Sequence, residues 1–124
     1  MKVKVSEASG IVLDLLVSRA DCPTHDGWGW FERDDQGFLF DPLNECRYSP
    51  STEFEDGGPF LEQLLADGWT ISQADFGLGV KLFHMRSSLA QVHRGSTLLI
   101  TAMRCYVSSK LGDEVEIPSE LFVL

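Results

Sequence analysis

Basic charge is scarce in this chain of 124 residues: ten Lys and Arg stand against nineteen Asp and Glu, giving a net charge of −9 with histidine neutral. Binding to a phosphate backbone needs a dense cationic face, so direct contact with nucleic acid is not expected. Cysteine is sparse too. Cys22, Cys46 and Cys105 are widely spaced and cannot all pair within one chain, which excludes a disulfide scaffold and makes reduced thiols the expectation. A zinc site drawn from Cys22, His25, Cys46 and either His84 or His93 would have none of the usual ligand spacing, so no metal or other cofactor is expected. No apolar run reaches the length of a membrane span, and Glu7 and Asp14 interrupt what would have to be the greasy core of a secretion signal. A cytoplasmic protein with no membrane contact follows. The Walker loop, the dinucleotide fingerprint and HExxH are all missing, and "DFGLG" at Asp75–Gly79 lacks every other kinase element.

What is present suffices for one folded domain, residues 1–124: 44% of residues are hydrophobic, and eight Phe and three Trp are spread over both halves. The charge is unevenly placed. Residues 1–20 carry +1, 21–67 carry −10, 68–112 carry +4 and the remainder −4. An acidic stretch of this kind can meet a basic partner, or simply keep the chain in solution.

The apolar spacing predicts the following elements. "KVKV" at Lys2–Val5 reads as a strand. Ser6 is placed to cap an amphipathic helix through Arg19, built on Ala8, Ile11, Val12, Leu15 and Leu16 and weakened by Gly10. Trp28–Arg33 and Phe38–Phe40 read as a hairpin, followed by a turn-rich connection from Asp41. Val80–Met85 alternates as a half-buried strand does, with Leu89–His93 as its partner. Ser96 can cap a last helix with Leu99, Ala102, Met103, Tyr106 and Val107 on one side and Gly112 as its stop. The fold class is α+β, a small antiparallel sheet packed with two or three helices.

"YSPSTEFEDGGPFLEQLLADGW", Tyr48–Trp69, is the stretch richest in special residues. Ser51 or Thr52 can start one helical turn, Gly57 and Gly58 free the backbone, and Pro59 suits the first position of a second helix that buries Phe60, Leu61, Leu64 and Leu65. The same glycines could expose N–H groups to an anion, although Glu53, Glu55 and Asp56 would repel it unless Arg47 or Arg104 folds across.

Nucleophilic chemistry finds little support. Cys105, beside Tyr106 on an apolar helical face, reads as a core thiol, and Cys46 lies near Asp41 and Glu45, whose charge would raise its pKa. A protein without enzymatic activity is expected.

"YSPSTEFEDGGPFLE" together with "GSTLLITAMRCYVSSKLGDEVEIPSEL", residues 48–62 and 95–121, resembles the phage NinX-like family, small proteins of tailed phages and prophages without an assigned activity. The Tyr-Ser helix start and the Ala-containing last helix are more distantly similar to phage domains described as α/β/α sandwiches. The resemblance implies a phage accessory protein in a bacterial host, and carries over no catalytic residue. Two functional readings stand. In the first, an acidic surface that includes Glu53, Glu55 and Asp56 binds and modulates a host or phage protein. In the second, Tyr48, Ser51, Gly57, Gly58 and Arg104 surround a small, nucleotide-like ligand. A homo-oligomer is compatible with either.

Overall fold

The computed structural model describes residues 1–21, 32–33, 39–41, 45–75, 81–89 and 91–117. Strand β1 (Lys2–Lys4) leads into one 3-10 turn at Val5–Glu7 and then helix α1 (Gly10–Asp21). Ser6 therefore does not cap α1. The chain crosses left-handed backbone at Gly10, φ 58°, a conformation costly for residues with a Cβ, and the helix begins only there. From Leu13 to Ser18 every α1 residue is buried, Asp14 among them.

Strands β2 (Glu32–Arg33), β3 (Leu39–Asp41) and β4 (Cys46–Arg47) form an antiparallel sheet in which Glu32 faces Phe40 and Phe40 faces Arg47. The expected hairpin is present in its described part, while Trp28–Phe31 and residues 34–38 lie outside the described residues. Helix α2 (Phe54–Ala66) is continuous, not the two steps that its Gly-Gly-Pro suggests. Pro59 removes only the N–H that would reach the Glu55 carbonyl, and Glu55 is exposed on the first turn, where water can satisfy that oxygen. Leu64 is buried and Phe60 and Leu61 are half-buried, but Leu65 turns outward.

Strands β5 (Thr70–Asp75), β6 (Lys81–Arg86) and β7 (Val92–Gly95) make an antiparallel meander, with Ile71 opposite Met85 and Met85 opposite His93. The partner predicted at Leu89–His93 is displaced to Val92–Gly95, because Ser87 holds the turn: its hydroxyl accepts from Leu89 N and Gln91 N. Residues 76–80, most of "DFGLG", lie outside the described residues.

Helix α3 (Leu98–Leu111) is the central element, packed against α1, α2, β6 and β7. Leu99, Ala102, Met103, Tyr106 and Val107 are buried as their spacing predicts, and so are Thr101, Cys105 and Ser108, so that the helix is enclosed on most of its circumference. Gly112 ends it, and strand β8 (Glu114–Glu116) pairs with β1, setting Lys2 against Glu116 and Lys4 against Glu114. Among the described residues the fold is α+β, three helices with small antiparallel sheets, built around a helix and not around the central sheet of an α/β/α sandwich. Among the described residues no helix is long and apolar enough to cross a membrane.

The N-cap of α3 is Thr97, one residue beyond the predicted Ser96: Thr97 Oγ1 accepts from Ile100 N at 3.1 Å. Thr97→Ala should therefore cost about 1 kcal/mol, and Ser96→Ala almost nothing. Denaturant melts of the two variants check the assignment.

Candidate functional site

The loop Tyr48–Ser51 is fixed by two carboxylates from two helices. Asp14 of α1 accepts from Ser51 N at 2.8 Å, and Asp56 of α2 accepts from Ser49 N at 2.9 Å. Ser49 O in turn accepts from Thr52 N and Glu53 N, which leads the chain into α2. Ser49, Pro50 and Ser51 are buried beneath this clamp. Gly57 completes it: an added Cβ would lie 2.1 Å from the Pro50 carbonyl oxygen, so the first turn of α2 can approach the loop only with glycine there. A Cβ on Gly58 would meet nothing.

Burial pushes the Asp14 carboxyl up to about 6; the adjacent Ser51 hydroxyl and N–H pull it part of the way back, and the Asp56 charge raises it. The Ser51 hydroxyl lies beside Asp14 without a well-formed hydrogen bond of its own. Burial, then the charges of Asp21, Asp56 and Asp14, push the half-buried Tyr48 phenol far up, so it stays protonated at neutral pH. Tyr48, Ser51 and Gly57 thus come together as the interior of a buttressed turn. The carboxylates around them disfavour an anion.

The outer face of α2 is different. Positions 54, 58, 61 and 65 fall on one side of a helix, and here they are Phe54, exposed by 60%, open Gly58, half-buried Leu61 and Leu65, exposed by 44%. Exposed Glu53, Glu55 and Glu62 flank them, and residues 53–67 contain no Lys or Arg. Phe60 points the other way, its ring centroid 4.6 Å from that of Tyr106. Asp56, grouped with Glu53 and Glu55 in the sequence reading, is half-buried and holds Ser49, so the carboxylates beside the outer face are Glu53, Glu55 and Glu62.

Arg104 belongs to neither place. It lies two residues before Tyr106, about 200° around the helix, and so faces away from α2. Its Nε donates to the Ala8 carbonyl at 2.8 Å and Nη1 to the Arg94 carbonyl at 2.6 Å, which joins α3 to the start of α1 and to β7. An open cleft of about 950 Å³ lies there, lined by His93, Arg94, Ser96, Arg104 and Asp113 among others. His93 is buried, with Nε2 3.6 Å from Asp113 Oδ1, and Ser108 donates to the same carboxylate at 2.6 Å. Burial lowers the His93 pKa against the opposing pull of Asp113.

Two of these groups have roles that the sequence reading does not assign. Asp14 carries a signal, a lone acid inside the apolar run Ile11–Val17, where a solvent-facing charge would interrupt the buried stripe. His93 carries none, since a single histidine in a short strand is as common in a core as in a site. Cys46 is free and exposed, and burial pushes the free Cys105 thiol up to about 12, away from nucleophilic use at neutral pH. Among the described residues no three His, Cys, Asp or Glu gather as metal ligands, and Cys22 and His25 lie outside them. No protein-family model matches the chain, and no curated protein matches it.

Proposed function

We propose that this chain is a non-enzymatic accessory protein of a tailed phage or prophage, NinX-like in kind, acting in the cytoplasm of the bacterial host by binding a basic segment of a host or phage protein. The observation that carries this reading is Phe54, 60% exposed at the start of α2 between exposed Glu53 and Glu55. An aromatic side chain left in water between two exposed carboxylates has the composition of an interface anchor. The carboxylates select a cationic partner and speed its approach, Phe54 supplies apolar burial, and the missing side chain at Gly58 lets the partner come close to the helix between Phe54 and Leu61. The phage origin rests on the resemblance of residues 48–62 and 95–121.

Comparative capture tests the proposal, with wild type and Phe54→Ser as baits in extracts of infected or lysogenic cells. A basic protein retained by wild type, eluted by salt and lost from Phe54→Ser is the expected result. Identical retention by both baits would overturn it. Phe54 is exposed, so the substitution should leave the melt unchanged.

A further inference from the structure

The cleft beside Arg104 is independent of the α2 face and has the opposite electrostatic character. Arg94 and Arg104 both line it, and neither has a carboxylate partner among the described residues, although the chain holds nineteen Asp and Glu. Among the described residues of its lining the one acid is Asp113, which is engaged by His93 and by the Ser108 hydroxyl.

Arg104 is held in place before anything binds. Two backbone carbonyls, of Ala8 and Arg94, fix the plane of its guanidinium and use two of its five N–H groups. The rest remain for an acceptor, and the fork is already oriented, so binding loses little side-chain entropy. A half-buried cation held only by carbonyl dipoles lacks the counter-charge that would offset its desolvation. An anion in the cleft would supply it. Gly95 and Ser96, which lead into the 14-residue helix α3, line the same cleft and bring the positive end of that helix beside it.

The volume and the walls narrow the ligand. About 950 Å³ lies at the upper end of small-molecule sites, more than a bare inorganic anion fills. Leu82 and Val92 offer an apolar wall, and Gln91 an amide able to donate and accept. We propose that this cleft binds a phosphate monoester of nucleotide size, its phosphate between Arg94 and Arg104 and its organic body against Leu82, Val92 and Gln91.

Calorimetric titration of the full chain with adenosine 5′-monophosphate and, separately, with inorganic phosphate tests this. The monophosphate should bind saturably and more tightly than inorganic phosphate. Arg94→Gln should weaken it about tenfold, the loss of one charge-assisted contact. Arg94 is exposed and its side chain makes no ion pair among the described residues, so that variant should melt as wild type does. Arg104→Gln should abolish binding, and Phe54→Ser should leave it unchanged. Absence of saturable binding at millimolar ligand, equal affinity for the monophosphate and phosphate, or affinity unaffected by Arg94→Gln would each overturn the proposal.

Discussion

Gly57→Ala should lower the melting temperature by about 10 °C or more, whereas Gly58→Ala should raise it by a few degrees. At Gly57 the new methyl would lie 2.1 Å from the Pro50 carbonyl oxygen and 3.0 Å from a Leu99 methyl. Neither side can yield cheaply. Pro50 sits in a loop held on one flank by Asp14 and on the other by Asp56, and Leu99 is buried in α3. Overpacking of this kind costs about 3 kcal/mol, and for a chain of this size each kcal/mol moves the midpoint by roughly 4 °C. Gly58 has no such neighbour, and its backbone is helical, so alanine there gains about 0.5–1 kcal/mol of helix propensity. Thermal melts of the two variants decide the matter: equal effects, or tolerance at Gly57, would contradict the close approach of α2 to the loop.

Asp14→Asn should stabilise the protein at pH 7.5, with the gain disappearing in acid. The carboxyl titrates at about 6 in the folded state against an ordinary value of 3.8, chiefly because it is buried. The native protein therefore binds the extra proton between those limits, and stability falls as pH rises through that window. Near pH 7.5 the buried charge costs on the order of 3 kcal/mol, while below about pH 4 the cost is absent. An asparagine oxygen can still accept from Ser51 N, so the variant keeps the anchor and loses the charge. His93, whose pKa burial lowers, opposes this trend just below its ordinary value of 6.5, so the difference between variant and wild type is the quantity to follow. Denaturant unfolding at pH 7.5, 6, 5 and 4 measures it. A difference independent of pH, or a variant weaker at pH 7.5, would contradict the buried ionised carboxyl.

Legibility in the sequence followed how local each cause was. The buried side of α3 was plain, because five apolar residues recur at helical spacing and Gly112 stops the run. Strand β5 was not, since "TISQAD" is polar with a single large apolar residue, Ile71, which is itself exposed by 40%; its structure comes from backbone pairing with β6. The Gly-Gly-Pro stretch misled for the same reason. Its glycines look like a break, but Gly57 is required by Pro50, a contact closed by tertiary packing. Of the candidate site, the acids and glycines were visible as types and their roles were not. Asp56 turned inward to Ser49, Glu53 and Glu55 remained outside, and Arg104, grouped with Tyr48 from composition, was sent to the far side of α3 by helical geometry.

The most direct test of the α2 face as the binding surface is the association rate of the captured partner with wild type and with Glu53→Gln/Glu55→Gln, at low and at physiological salt. Neither side chain makes a capping hydrogen bond to α2, and exposed carboxylates crowded together add little stability, so the double variant should fold normally. The rate for wild type should fall steeply as salt rises, and that for the variant should be slower at low salt and nearly flat, because the steering charge has been removed. An association rate for the variant equal to that of wild type at both salt concentrations would contradict recognition through these carboxylates.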